Sequence, residues 1–343
     1  MKAIISGVAG FIGSHMAERL LSMGYKVVGI DNLSRFGSEI NLKLLSSMKG
    51  FMFHRADVRS RKDLDSIFRT HSDVTLVVHE AAQVAVTTSV ADPYTDFEVN
   101  AYGTLNMLEV TRAHAPHSLF IYASTNKVYG ELACHEVQER AGRYEYATLG
   151  EGVNENQGLD FHSPYGCSKG CGDQYVRDYA RIFGLRTVVF RQSCIYGTRQ
   201  WGMEDQGWIA WFTIAAILNR RLTIYGDGKQ IRDVLWIDDL IDLYLLAWQY
   251  ADKASGQIYN TGGGPKNTQS LLELIASLGA VLENEIPYSF SDWRPGDQRV
   301  YVSDCRKANA DFGWEPAVSP SVGIVRLAEW VKSNVELIAG LFT

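Results

Sequence analysis

The chain has 343 residues, 46% hydrophobic and 21% charged, enough for a sizeable core in one large α/β unit with a smaller lobe or in two domains, and too apolar for wholesale disorder. Lys plus Arg number 33 and Asp plus Glu 39, a net charge of −6. That argues against a broad nucleic-acid or anionic-membrane surface but leaves room for a local basic pocket for a phosphate.

Short apolar or β-branched runs at 3–6, 26–30, 51–53, 75–79, 118–122 and 187–190 predict strands of a sheet covered on both faces. Helices are predicted between them at 12–23, 61–69 and 94–113, the last opened by Asp92-Pro93, an N-cap followed by proline at the first helical position. The alternation predicts a doubly wound parallel α/β sheet of Rossmann-like form. The segment 131–162 is long, polar and poorly patterned and reads as a functional loop. Beyond residue 190 the rhythm breaks. A strand at 233–236 and a helix at 238–250 are expected to return to the main sheet. Residues 1–190, with 231–263, are therefore expected to form a dinucleotide-binding domain, and 191–230 with 264–343 a smaller, discontinuous substrate lobe.

The first strand runs into Gly7-Val8-Ala9-Gly10-Phe11-Ile12-Gly13 and then a helix. Glycines permit a tight turn and close approach of backbone to a pyrophosphate, and the helix N-terminus offers free N–H groups. The alternative is an ordinary glycine-rich turn. Asp31 ends the second strand, where a carboxylate accepts from ribose hydroxyls and repels a 2′-phosphate, which favours NAD over NADP. Arg35 nearby reads as a solvated loop charge. Asp57 and Val58 follow the third strand, where an adenine edge would lie.

Ser163-Pro164-Tyr165-Gly166-Cys167-Ser168-Lys169 reads as an N-cap, a first-turn proline and a helix carrying Tyr165 and Lys169 on one face. A tyrosine acting as a base near neutral pH must ionise far below its usual pKa of about 10. A neighbouring ammonium, a cationic nicotinamide and a helix N-terminus would all favour the phenolate. Thr125 or Ser124, after the fifth strand, would supply a hydroxyl to relay the proton. The competing reading is an amphipathic helix with a surface Tyr and Lys.

The longest strongly apolar run, 209–218, is about ten residues, too short to span a bilayer. The N-terminus has no signal-peptide pattern. The five cysteines lack Cys-x-x-Cys pairs and read as free thiols of a reducing compartment, without a metal site. Cys167 and Cys171 read as buried packing residues. A cytoplasmic protein is expected.

Taken together, these stretches resemble the extended short-chain dehydrogenase/reductase family, in particular its nucleotide-sugar epimerases and dehydratases. The likeness runs through the glycine turn, Asp31-Asn32-Leu33-Ser34, His79-Glu80-Ala81-Ala82, Asn100 with Gly103-Thr104, the Thr125/Tyr165/Lys169 set, Arg232-Asp233-Val234 and Arg294-Pro295-Gly296-Asp297. More narrowly, 124–130, 161–170, 205–208 and 228–235 resemble the 2-epimerases of CDP-linked deoxyhexoses, the CDP-paratose/CDP-tyvelose type. The resemblance implies NAD bound by Gly7, Gly10, Phe11, Ile12, Gly13, Asp31, Asn32, Ser34, Asp57, Val58, Ala81, Ala82, Gln83, Asn100, Tyr165 and Lys169. It implies catalysis by Thr125, Tyr165 and Lys169, and a nucleotide-sugar diphosphate held by Arg232 and Arg294, with Thr125 at the sugar. Structural roles compete for Asn100 and the two arginines. Cys194 departs from the pattern, standing where many 4-epimerases carry an asparagine near the diphosphate.

Dehydratases of the family carry Asp-Glu at the positions of Asn126-Lys127, and elimination needs such an acid/base pair. That disfavours dehydration and leaves epimerisation through a transient keto sugar. A 4-epimerase, the disfavoured 4,6-dehydratase, a net NAD-dependent sugar dehydrogenase and a non-catalytic NAD-binding scaffold remain as alternatives. The helix at 94–113 and the Tyr165 helix resemble those that pair in the family's dimers, implying a homodimer or larger assembly.

Overall fold

The computed structural model describes residues 1–294 and 297–341; Pro295 and Gly296, of the Arg294–Asp297 motif, lie outside the described residues. Seven strands form the central sheet: β1 (Lys2–Ser6), β2 (Lys26–Asp31), β3 (Phe51–Arg55), β4 (Leu76–His79), β5 (Leu119–Thr125), β6 (Arg186–Gln192) and β7 (Gln257–Thr261). Their order is β7-β6-β5-β4-β1-β2-β3, and every pairing is parallel. The first six are the predicted strands.

Alternation along each strand sends successive side chains to opposite faces. Ile5, Val78 and Ile121 pack with Met16 and Leu20 of the helix Phe11–Ser22 and with Leu240 and Tyr244 of Ile237–Gln249. Ile4, Val77 and Phe120 pack with Leu64 and Phe68 of Arg61–Thr70, Met107 of Gly103–His114, and Val176 of Ser163–Phe183. Both faces are thus sealed, and ligands are left the crevice at the carboxyl ends of the strands, where the strand order reverses between β1 and β4.

The expected helix at 94–113 is a single rod with a wider turn inside it: Pro93–Phe97, a π-helical Glu98–Tyr102, then Gly103–His114. Asp92 caps its start, accepting from the Thr95 N–H at 3.1 Å. A Cβ on Gly103 would lie 2.7 Å from Val58 Cγ2, so only glycine lets the rod approach the chain beyond β3.

Three expectations change. The strand expected at 233–236 is Ile231–Trp236, and it does not join the main sheet. It runs antiparallel to Thr268–Ser270 and parallel to Val300–Tyr301 and Cys194–Tyr196 in a small sheet of its own, while Gln257–Thr261 takes the main-sheet edge. Asp233 explains the choice: its fully buried carboxylate accepts from the N–H groups of Gly264 and Ser303 and from the Ser193 hydroxyl. A carboxylate without such partners would be very costly inside the main sheet. The helix Ile237–Gln249 does return to the main sheet.

The loop expected at 131–162 contains a β-hairpin, Val137–Arg140 with Arg143–Tyr146. It is pinned to the smaller lobe by Tyr144 Oη to Asp227 (2.6 Å), Tyr146 Oη to the Val300 carbonyl (2.9 Å) and Arg143 to Glu273 (3.0 Å). All five cysteines are free; Cys167 is exposed and Cys171 half-buried, not the buried packing residues expected. Among the described residues no helix is long and apolar enough to cross a membrane, and no group of side chains could hold a metal ion.

Candidate active site

The glycine turn leaves β1 with Gly7 at φ +71°, a left-handed conformation that favours glycine. A Cβ there would lie 2.6 Å from the Ala81 nitrogen, and one on Gly13 would lie 2.2 Å from the Gly7 carbonyl oxygen. The turn is therefore coiled against itself and against the end of β4, with no room for side chains. No side chain caps the helix Phe11–Ser22, so its first amides are left for a ligand.

Around this turn lies a cleft of about 400 Å³ lined by Gly7, Gly10, Phe11, Ile12 and Gly13, by Asp31, Asn32 and Ser34, by Asp57 and Val58, and by Ala81, Ala82 and Gln83. Asp31 accepts from the N–H groups of Ala9 (3.0 Å) and Leu33 (2.8 Å). Burial pushes its carboxyl upward, against the pull of those two bonds. Asn32 donates to Asp57 (2.8 Å) and accepts from the Ser34 N–H (3.0 Å), tying the ends of β2 and β3 together. His79 accounts for its own motif: it bridges Ser6 Oγ (2.6 Å) and Thr104 Oγ1 (3.1 Å), and burial holds it neutral, with a pKa of about 3.

Asn100 is the one expected cofactor residue that does not line the cleft. Its amide accepts from the Gln83 N–H (2.9 Å) and donates to the Gln83 carbonyl (3.0 Å), Asp96 (3.1 Å) and Ser168 (3.1 Å). It holds the Gln83 segment in place, with its amide hydrogens committed to these partners. Arg35, expected as a solvated charge, reaches across the cleft to Gln206 (2.6 Å) on the other lobe.

Tyr165 and Lys169 complete the lining. Their helix begins with Ser163 at φ +66° and Pro164 in the first turn. Ser163 Oγ accepts from the Gly166 N–H (3.2 Å), the capping contact the sequence implies, and Ser89 Oγ accepts from the Tyr165 N–H (3.1 Å). Burial pushes Tyr165 up to about 12, with a hydrogen bond from Thr125 and the charge of Arg35 opposing it and Asp96 adding to it. Lys169 lies with its ammonium 4.4 Å from the centre of the Tyr122 ring, and burial pulls it down to about 8 against Glu80, Asp173 and Asp96.

A second cavity, about 380 Å³, opens from the first; Phe11, Ile12, Ser124, Tyr165 and Gln192 line both. It is walled by Thr125, Asn126 and Lys127, by Cys194 and Trp208, and by Arg232 and Arg294. The two candidate hydroxyls are distinguished here. Ser124 Oγ donates to Asp173 (2.8 Å), whereas the Thr125 hydroxyl, with a relative exposure of 7%, donates to Asn126 Oδ1 (3.4 Å) and is the one close enough to Tyr165 to favour its ionised form. Arg232 lies 3.4 Å from Asp297, and Arg294 stacks on Tyr225 at 3.8 Å while pairing with Asp205 at 3.2 Å. Cys194 Sγ accepts from Trp208 Nε1 at 3.4 Å.

Sequence reasoning missed the groups that brace this junction. Asp96 and Ser168 bond each other beneath Tyr165. Tyr244 donates to Glu80 (2.8 Å) and accepts from Gln192 (2.6 Å), and burial raises Glu80 to about 7. Arg191 grips Asp173 with two bonds of 2.9 Å. The one readable signal was polarity inside runs otherwise apolar, as at Arg191 and Gln192 in β6.

The GDP-mannose 4,6-dehydratase family profile matches residues 4–326. The chain is 43% identical to a CDP-paratose 2-epimerase of Salmonella typhi, over 97% of this chain and 100% of the relative. A crystal structure of UDP-glucuronic acid 4-epimerase from Bacillus cereus, with UDP-glucuronic acid and NAD, superposes with a TM-score of 0.84 at 29% identity, covering 97% of this chain and 99% of the other. A dTDP-glucose 4,6-dehydratase from Streptomyces venezuelae with NAD bound gives a TM-score of 0.85 at 27% identity, over 99% and 100%.

Proposed function

The chain belongs to the GDP-mannose 4,6-dehydratase family, within the extended short-chain dehydrogenases/reductases, and from that premise we propose that it is an NAD-dependent nucleotide-sugar epimerase that inverts C2 of a CDP-linked hexose of the paratose/tyvelose type. The observation that carries the reading is the junction of the two cavities at Tyr165, with Thr125 and the neutral-plus-cationic pair Asn126-Lys127 lining the second cavity beside it. The pair lacks the two carboxyl groups that the family's dehydratases carry there, one to protonate a leaving hydroxyl and one to remove a proton beside a ketone, which favours epimerisation over elimination.

The cleft fits a dinucleotide: the cradle at Gly7 and Gly13 is one that a Cβ would fill, and Asp31 stands at the end of β2. Bound NAD supplies a hydride acceptor that later returns the hydride. Asp31 and Asn32 take the adenosine ribose, Asp57 and Val58 the adenine, Ala81 to Gln83 the nicotinamide side, and Lys169 with Tyr165 the nicotinamide ribose. Tyr165 accepts the sugar hydroxyl proton through Thr125 as the carbon is oxidised, and gives it back when the opposite face of the ketone is reduced. Proton and hydride both return, so the redox balance is zero. Arg232 and Arg294 keep the diphosphate anchored while the keto sugar turns.

NMR in deuterated water with CDP-paratose as substrate tests this. Inversion at C2 without deuterium at that carbon is the expected result. Deuterium at C2 would replace hydride return by enolisation, and a stable keto product with NADH would make the protein a dehydrogenase.

The surface supports a homodimer. Tyr94 (84% exposed), Phe97, Tyr102, Tyr175, Ile182 and Phe183 form an apolar stripe along the rod 93–114 and the Tyr165 helix. Light scattering is expected to give twice the 38.3 kDa chain mass, and Tyr94→Glu with Phe97→Glu a monomer; a wild-type monomer would reject the interface.

A further inference from the structure

The second cavity holds three cations, and they are not equivalent. Arg232 and Arg294 each have a carboxylate within 3.4 Å, Asp297 and Asp205. Lys127 has none within ion-pairing distance among the described residues, and its Nζ meets only the neutral Gln298 Oε1, at 3.4 Å. Its backbone is locked, since its N–H donates to Thr125 Oγ1 (3.3 Å) and its carbonyl accepts from the Gly130 N–H (3.2 Å) in the tight turn Asn126–Tyr129. Gln298 is locked in turn by a bond from its amide to the Gly130 carbonyl. A half-buried cation with no carboxylate at ion-pairing distance among the described residues, held two residues from the Thr125 hydroxyl, can take its anion from a ligand.

Sugar geometry says which anion. Whatever carbon is oxidised must lie at Thr125 and Tyr165. When that carbon is C4, the anomeric carbon with its diphosphate is across the ring, far from the catalytic edge. When it is C2, the anomeric carbon is the next atom, and the sugar-side phosphate is drawn up to that edge. Arg232 neighbours Lys127 and already acts on it electrostatically, so the cations form a path from Thr125 outward.

We propose that Lys127 binds the sugar-side phosphate and thereby selects C2 over C4 as the carbon presented to Tyr165. The inference rests on the C2 reading above. Burial and the charge of Arg232 pull Lys127 down to about 8 against the charge of Asp297, and an arriving phosphate would favour its charged form.

The test compares nucleoside diphosphate with monophosphate by calorimetry on the NAD-loaded protein, using CDP/CMP and UDP/UMP so that the base does not decide the result. Lys127→Gln and Lys127→Met are expected to weaken diphosphate binding about tenfold or more, as for loss of a bond to a charged group. Monophosphate binding should be nearly unchanged, and Lys127→Arg should restore part of the difference. Retained NAD content in the variants reports an intact fold. Equal weakening of both nucleotides would make Lys127 a structural residue, and no weakening would remove it from the phosphate site; either overturns this inference while C2 inversion by the wild type still stands. Wild-type inversion at C4 would instead overturn the C2 reading, whatever the variants bind.

Discussion

Tyr165→Phe is expected to lower turnover by about a thousandfold, within the range for loss of a general acid–base group, with NAD content and nucleotide affinity retained. The phenyl ring keeps the packing at the mouth between the two cavities and loses the oxygen beside Thr125, which is one of many groups lining the cofactor cleft. The pH profile should report the same group. In the chain alone burial pushes Tyr165 to about 12, so the phenol is neutral near pH 7 and activity depends on charge arriving with the cofactor. Activity should rise with pH as the phenolate is populated. It should fall above about 8, where Lys169, pulled down by burial, gives up its proton. The acidic limb should disappear from the residual activity of Tyr165→Phe. Turnover within a few-fold of wild type would remove Tyr165 from the mechanism.

Asp173→Asn should produce the largest loss of stability, about 3–5 kcal/mol, as expected when one member of a buried ion pair is removed. Asp173 and Arg191 are 0% and 2% exposed. Arg191 Nε and Nη2 each reach an Asp173 oxygen at 2.9 Å, and its Nη1 donates to Tyr129 (3.0 Å), which donates to Asn260 (2.7 Å). The amide leaves a guanidinium buried without a counter-charge. The pairing of β5 with β6 sets Ser124 beside Arg191, so the same carboxylate also accepts from Ser124 and the damage reaches the site. Urea unfolding measures the loss. A cost below about 1 kcal/mol, typical of an exposed pair, would contradict the burial argument. Replacing both partners by apolar residues should recover much of the stability, because the desolvation penalty of both charges is then removed.

Much of the architecture was legible because it rests on short-range chemistry. Six of seven main-sheet strands were apolar or β-branched runs, the glycine turn showed in its spacing, and Asp92-Pro93 and Ser163-Pro164 announced their helices through caps. The seventh strand, Gln257–Thr261, was hidden by its polar ends. The hairpin at 137–146 was hidden because its turn places Ala141 at φ +52°, a conformation alanine does not advertise, ahead of Gly142 at +81°.

The candidate site divides along the same line. Gly7, Asp31, Asp57, Ala81 and Thr125 each stand at or just beyond the end of a strand, so local patterning located them at one edge of the sheet. Sequence also set Tyr165 and Lys169 on one helix face, by periodicity alone. Only the tertiary structure decided that Asn100 braces Gln83 rather than lining the cleft, that Thr125 rather than Ser124 meets Tyr165, and that Asp233 draws its strand into the smaller lobe. It also decided that Tyr165 is driven toward neutrality and that Lys127, near Thr125, meets the neutral Gln298 and, among the described residues, no carboxylate at ion-pairing distance. Those outcomes depend on burial and on which polar groups meet across long separations in the chain, and neither is written in local residue order.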